Sequence, residues 1–229
     1  MSDYNKLALF DCDGTLVDGQ HLIVDAMDRA FAAEKLTPVS ADAVRSIIGL
    51  SLVEAMERLL PDAGASYHAH MAEQYKTSFI AMRAEQADPI EPLYDGILES
   101  IHALDDAGYM LGVATGKSMR GLVRVLEHHD LRQKFITLQT ADGHPSKPHP
   151  SMVETALAEA GSAPALCVVI GDTTYDMMMA RSAGASALGV NWGYHDVADL
   201  SAAGAQHIAT RCHDVPSLVE QMIEERSAA

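Results

Sequence analysis

Short apolar runs that end in polar residues or glycine recur along this chain, and most are followed by a stretch of helical periodicity. This alternation is typical of β–α–β units, whose strands pair in parallel. The interiors of the runs are apolar throughout, as expected for strands covered on both faces. The sequence therefore predicts an α/β fold with a mainly parallel sheet. The predicted strands are residues 7–10, 109–114, 135–139, 165–170 and 185–190.

One segment, from about residue 17 to residue 87, interrupts this rhythm. It contains no convincing strand, and apolar residues such as Ile23, Met27 and Phe31 recur at helical spacing. Prolines at its far edge disfavour continued helix. We therefore predict a helical insert at residues 18–87, within a core formed by residues 1–17 and 88–229. The helices predicted after the insert are residues 94–107, 118–129, 151–160, 174–183 and 215–226.

Charge and cysteine usage limit the partners and the compartment. The 32 acidic residues outnumber 16 Lys and Arg, which gives a net charge of -16. Such a surface repels nucleic acid, so we expect no nucleic-acid partner. The three cysteines are scattered and form no CxxC pair, which fits a reduced compartment. The first apolar run is too short for a signal-peptide core or a membrane span, so we expect a cytoplasmic protein with no membrane partner.

Two aspartates, Asp11 and Asp13, follow the first apolar run. Asp11 should leave the carboxyl end of a parallel strand, where open α/β sheets bind ligands. Two carboxylates one residue apart repel each other unless a cation or a proton lies between them. The alternative is a solvated acidic turn, in which Asp and Gly are common residues.

Two further elements offer groups that can bind an anion. Thr115 and Gly116 follow another predicted strand, and a hydroxyl with free backbone N–H groups suits a phosphate. Helix capping by Thr115 or Ser118 is the alternative. Lys147 lies among prolines that restrict its approach, which suits a fixed charge for phosphate or carboxylate. A rigid surface linker would show the same prolines.

A second pair of aspartates, Asp172 and Asp176, follows the predicted strand at residues 165–170. If a helix begins near Thr174, both carboxylates lie near its N-terminus, where negative charge is stabilised. Capping alone would need one of them. Together with Asp11 the pair would form a hard oxygen site of the kind that magnesium prefers.

These four elements, in this order, resemble the four motifs of the haloacid dehalogenase-like superfamily of phosphohydrolases. The resemblance covers essentially the whole chain and implies a doubly wound, Rossmann-like core with an inserted α-helical cap. The matching segments are Asp11-Cys12-Asp13-Gly14-Thr15, Thr115, Lys147 and Gly171-Asp172-Thr173-Thr174-Tyr175-Asp176.

The resemblance also implies roles for the aspartates. Asp11 would be the nucleophile that forms an aspartyl-phosphate, and Asp13 would protonate the leaving oxygen and then activate water. Asp11, the backbone carbonyl of Asp13 and Asp172 would hold Mg²⁺, with Asp176 as a supporting carboxylate. An acid at position 13 disfavours a dehalogenase, because halide leaves without a proton.

Thr115, Gly116 and Lys147 would hold the transferring phosphoryl group, and the family often has a cis bond after the corresponding lysine. In related caps a loop between two helices supplies specificity. By position this loop is residues 45–51, especially Arg45, Gly49 and Ser51, although a solvated helix arginine is the simpler interpretation of Arg45.

The sequence thus predicts a magnesium-dependent phosphatase for a small phosphorylated metabolite, in the phosphoglycolate phosphatase-like branch of the family. Gly19 departs from that branch, in which Ser is common at this position. The alternatives are a β-phosphoglucomutase-like phosphomutase, which would use the same aspartates, and a catalytically idle binding protein of the same fold. The sequence carries no prediction of the oligomeric state.

Overall fold

Six strands pair in parallel as one sheet in the computed structural model, which describes residues 4–85 and 89–228. In chain order the strands, numbered β1 to β6, are Asn5–Phe10, Met110–Thr115, Thr137–Thr140, Ser162–Gly171, Ser186–Val190 and His207–Ala209. Their order in the sheet is β3-β2-β1-β4-β5-β6, so the chain winds outward from β1 in both directions. The predicted doubly wound α/β fold is confirmed.

Helices connect the strands and form the insert. In the described residues, α1 to α10 are Gln20–Ala33, Ala41–Arg45, Leu52–Leu59, Ala65–Glu85, Ile97–Asp106, Met119–His128, Ser151–Ala160, Thr174–Ser182, Val197–Ala203 and Val215–Ala228. The first four follow β1, and the others alternate with the remaining strands.

Both faces of β1 are covered, as its uninterrupted apolar run predicts. Leu7 and Leu9 join a cluster with residues of α7 and α8, whereas Ala8 and Phe10 join a cluster with residues of α5, α6 and α10. Successive strand side chains point to opposite faces, so one apolar run supplies both layers. All four side chains are fully buried. Burial contributes about 1.5–3 kcal/mol for each large side chain.

The observed boundaries differ from the predicted ones in a few places. The helix predicted from residue 94 begins at Ile97, because Gly96 has a left-handed φ of 82° that is not helical. The strand predicted from residue 135 begins at Thr137. Two elements, α9 and β6, were not predicted at all.

The four helices of the insert have a core of their own. Buried side chains of α1, α3 and α4 pack together, among them Met27, Phe31, Met56 and Met71. The chain leaves and re-enters the sheet domain through adjacent segments, since the Asp18 N–H donates to the Pro92 carbonyl at 2.9 Å. The division at residues 17/18 and 87/88 stays a prediction, and Ala87 and Asp88 lie outside the described residues.

Cys12, Cys167 and Cys212 are buried free thiols. Across residues 4–85 and 89–228, the helices are too short or too polar to span a bilayer.

Candidate active site

The site lies where β1 and β4 end side by side. Phe10 pairs with Ile170, and the Asp11 N–H donates to the Ile170 carbonyl at 2.8 Å. Asp11 and Asp172 therefore leave neighbouring strands at the same edge of the sheet. The strand order reverses at this point, and ligands of open α/β sheets bind in the crevice that such a reversal creates.

Three carboxylates converge at this edge. Asp11, Asp172 and Asp176 each offer an oxygen within 4.8 Å of the others. All three side chains are buried. The Lys147 ammonium lies 3.0 Å from Asp11 Oδ1 and 2.6 Å from Asp176 Oδ1, and it is buried as well. The Lys147–Pro148 peptide bond is cis, as predicted. The structure thus brings residues of the first, third and fourth motifs into one cluster.

The cluster carries more negative charge than one lysine can balance. Burial and the nearby charge of Asp176 raise the pKa of Asp11 to about 7, although Lys147 acts in the opposite direction. Burial and the charges of Asp11 and Asp176 raise the pKa of Asp172 well above its ordinary value. Asp11 Oδ2 is buried and has no hydrogen-bond partner among the described residues. Buried anionic oxygens with spare acceptor capacity fit a hard cation such as Mg²⁺.

Neighbouring groups fix the orientation of the carboxylates. The Thr15 hydroxyl donates to Asp172 Oδ1 at 2.8 Å, and the Tyr194 N–H donates to Oδ2 at 3.0 Å. The Thr173 hydroxyl donates to Asp176 Oδ2 at 2.6 Å, as part of a capping box at the start of α8. Asp176 therefore both caps a helix and faces Lys147.

Asp13 belongs to a second ionic group, directed at the insert. Its Oδ1 lies 2.9 Å from the Lys117 ammonium, which also contacts Glu91 Oε1 at 3.3 Å. Burial alone would lower the pKa of Lys117, but the carboxylates of Asp13 and Glu91 raise it on balance. The sequence prediction missed both Lys117 and Glu91. The position of Lys117, directly after Gly116, was the available signal.

Thr115 ends β2 beside this group, and Gly116 follows it. Thr115 is buried, and its hydroxyl accepts a hydrogen bond from the Lys117 N–H at 3.2 Å. A Cβ atom on Gly116 would lie 2.6 Å from the Leu50 carbonyl oxygen and 2.7 Å from that of Gly49. Glycine is therefore required where the insert approaches the sheet.

Of the three residues predicted for specificity, Gly49 and Ser51 contact the motif segments of the sheet domain, whereas within the described chain Arg45 does not. Gly49 has a φ of +98° and lies against Thr173. The Ser51 N–H donates to Ser146 Oγ at 2.9 Å, one residue before Lys147. Arg45 instead pairs with Asp42 and donates to Gln20 Oε1. The loop thus touches the third and fourth motifs.

A cavity of about 650 Å³ lies between the insert and the sheet domain. Asp13, Gly49, Gly116 and Lys117 line it, whereas Arg45 and Ser51 are not among its lining residues. The other lining residues are Ile23, Met27, Ile47, Ile48, Leu50, Leu52, Ala55, Tyr75, Lys76, Phe79, Ile80, Arg83, Ala84, Ser118, Arg120, Gly121, Arg124 and Asp142. The cavity therefore reaches Asp13, whereas Asp11, Lys147 and Asp172 are not among its lining residues.

Known proteins share both this sequence pattern and this fold. Residues 8–190 match the family described as haloacid dehalogenase-like hydrolase. The "Probable phosphatase IndB" of Dickeya dadantii is 34% identical, over 97% of this chain and 96% of that protein. A phosphoglycolate phosphatase of Agrobacterium fabrum is 29% identical, over 98% and 97%. A hydrolase from Pseudomonas syringae superposes with a TM-score of 0.82 and 24% identity, over 94% and 98% of the two chains.

Proposed function

Because the chain belongs to the haloacid dehalogenase-like hydrolases and is a phosphatase of that family, we propose that it hydrolyses a small phosphorylated metabolite through an aspartyl-phosphate on Asp11, with Mg²⁺ as cofactor. The observation that carries this proposal is the cluster of Asp11, Asp172 and Asp176 around Lys147 at the carboxyl edge of β1 and β4. A solvated acidic turn would not be buried in this way.

The metal assignment follows from the charge of the cluster. Asp11, the backbone carbonyl of Asp13 and Asp172 would hold Mg²⁺, and Asp176 would support them. Bound there, the ion neutralises charge and polarises phosphoryl oxygens, which lowers the repulsion between a phosphate dianion and a carboxylate nucleophile. The raised pKa values of Asp11 and Asp172 support a requirement for additional positive charge.

The phosphoryl group would be held by the chain's own donors. The Lys147 ammonium already lies 3.0 Å from Asp11 Oδ1, so it can neutralise charge next to the attacking oxygen. The Thr115 hydroxyl and the Gly116 N–H would donate to the other phosphoryl oxygens. Preformed donors of this kind stabilise charge as it develops, without reorganisation.

Asp13 would move the protons. In the first step an Asp11 oxygen bonds to phosphorus, the bond from phosphorus to the alcohol oxygen breaks, and Asp13 gives its proton to that oxygen. In the second step Asp13 takes a proton from water as the water oxygen bonds to phosphorus, and the Asp11 carboxylate is released. Asp13 lines the cavity, which supports a position beside the leaving group.

The insert at residues 18–87 would act as the cap. Its loop contacts Gly116, Ser146 and Thr173, so closure can exclude water from the cluster.

We also propose that the protein is cytoplasmic, a location supported by its three free thiols.

Phosphate release from p-nitrophenyl phosphate tests the proposal. Wild-type protein is expected to turn over with Mg²⁺, to lose activity in a chelator and to regain it when Mg²⁺ is restored. Asp11→Asn is expected to abolish turnover with the fold retained, whereas the exposed control Asp62→Asn keeps it. Acid-quenched wild-type protein should carry phosphate on the Asp11 peptide by mass spectrometry. Wild-type rates in Asp11→Asn, or indifference to chelation, contradict the proposal, and isomerisation of a sugar phosphate without phosphate release identifies a phosphomutase.

A further inference from the structure

The cavity beside Asp13 is much larger than a small leaving group needs. Its volume of about 650 Å³ lies in the range of sites that hold drug-sized ligands, roughly 300–1,000 Å³. In liquid water this volume would contain roughly twenty molecules, at about 30 Å³ each. Glycolate, a two-carbon acid, would leave most of this space to water. The size therefore favours a bulkier alcohol.

The walls on the cap side are mainly apolar. Ile23 and Met27 of α1 face the cavity together with Tyr75, Phe79 and Ile80 of α4. The Tyr75 and Phe79 ring centroids lie 5.9 Å apart with the planes tilted by 32°, so the two rings are neighbours in this wall. Such walls stabilise a ligand by removing its apolar area from water, and glycolate has little apolar area to bury.

Two inner cations are already balanced by carboxylates. Lys117 contacts both Asp13 and Glu91, and Arg83 lies 3.6 Å from Glu91 and over the Phe79 ring. Arg124 is half-buried and lines the cavity as well. Lys76 and Arg120, which also line the cavity, are exposed and can contact polar groups at its solvent side. A polar part of the leaving group can therefore contact cations, while its body lies against the apolar walls.

We infer that the substrate is a phosphate monoester of an alcohol with a ring-sized body that presents apolar or aromatic faces to the cap, and not phosphoglycolate. This inference rests on the proposed phosphatase function and names its substrate class. The phosphate would lie at Asp11 and Lys147, and the ring would extend past Asp13 between α1 and α4.

A series of primary alkyl phosphates tests the inference, because their leaving groups have similar chemistry. The comparison is kcat/KM for benzyl phosphate, ethyl phosphate and phosphoglycolate with Mg²⁺. Each buried methylene-sized group contributes roughly fourfold, so benzyl phosphate is expected to exceed the other two by at least about tenfold. Equal or faster hydrolysis of ethyl phosphate or phosphoglycolate overturns the inference.

A pair of variants locates the effect in the cavity. Ile80 lines the cavity and is 59% exposed, so Ile80→Asn can alter the wall without opening the core. It should narrow the ratio of benzyl to ethyl phosphate hydrolysis severalfold. Ile136 is 51% exposed and is not a lining residue, so Ile136→Asn is the matched control and should leave the ratio unchanged. An unchanged ratio in Ile80→Asn contradicts the placement of the ring.

A binding measurement separates this inference from the proposed function. If no ester, including p-nitrophenyl phosphate, is hydrolysed, the phosphatase proposal fails. Calorimetry with benzylphosphonate and ethylphosphonate in Mg²⁺ then still reports on the cavity. Tighter binding of benzylphosphonate supports the ring site, and equal binding overturns it.

Discussion

Replacement of Lys147 by methionine tests the electrostatic balance of the site. Methionine keeps an unbranched chain but removes the ammonium that lies 3.0 Å from Asp11 and 2.6 Å from Asp176. In the metal-free protein the three clustered carboxylates would then lose this buried counter-charge. We expect Lys147→Met to be less stable than the wild type, and most strongly so in a chelator.

The magnitude follows from burial. The side chains of Lys147 and Asp176 are both 0% exposed, and that of Asp11 is 1% exposed. Breaking a buried ion pair by removal of one partner costs about 3–5 kcal/mol. The loss is smaller at low pH, because protonation of Asp11 and Asp172 then removes the uncompensated charge. Added Mg²⁺ should recover part of the loss, since a dication supplies the missing charge.

Urea unfolding near pH 8, with chelator and with Mg²⁺, measures both effects. Lys134→Met is the matched control, because Lys134 pairs with Asp105 at 2.5 Å and both side chains are 38% exposed. Exposed pairs contribute little to stability, so this variant should resemble the wild type. Turnover of Lys147→Met should also fall by about 10²–10³-fold, as for other removed donors of an anion site.

Two results would refute this reasoning. A loss of stability in chelator no larger than that of Lys134→Met would show that the carboxylates do not need the ammonium. A loss that is equal with and without Mg²⁺ would show that the ion and the lysine do not share the same cluster.

Three further predictions follow from the contacts between the insert and the sheet domain and from the acidic cluster. Gly116→Ala places a Cβ 2.6 Å from the Leu50 carbonyl oxygen and should lower kcat/KM by about 10²-fold, because the loop is misplaced. Gly143 has open space around it, so the control Gly143→Ala should keep the wild-type kcat/KM. Equal kcat/KM values for the two variants contradict this prediction. Tyr175→Phe removes the hydroxyl that donates to the Ser46 carbonyl at 2.8 Å and should lower the free energy of unfolding by about 0.5–1.5 kcal/mol in urea; an unchanged midpoint contradicts this. The pKa of Asp11 is raised from 3.8 to about 7, so its contribution to metal-free stability is present below pH 3.8 and is lost as pH rises to about 7. The increase in Tm on adding Mg²⁺ should therefore grow over that pH range. An increase in Tm that becomes smaller as pH rises contradicts this prediction.

The sheet was predictable because its strands are covered on both faces. Leu7–Phe10 and the apolar half of β4 must be apolar throughout, and that pattern is visible in one sequence. The strand β6 was missed because it has only three residues and begins with a half-buried His207. A short edge strand gains its definition from pairing with β5, which local sequence does not encode.

The site was predictable only in part for a related reason. Residues at strand ends, such as Asp11 and Asp172, are placed by the sheet itself, so their convergence follows from topology. Glu91 lies just after the insert, and it is buried against Lys117 and Arg83. Its role depends on how the insert folds back onto the sheet domain, and no local pattern marks a carboxylate for burial.

The central place of β1 has a consequence for the order in which the protein can assemble. When the ribosome has released the chain through α4, β1 and all four helices of the insert exist, but neither strand that flanks β1 has been made. Leu7 pairs with Met110 on one side and with Cys167 on the other, and both partners are synthesised much later. Pairing over such long sequence separations slows folding. Until then the nascent chain exposes an unpaired apolar strand, the kind of segment that chaperones bind.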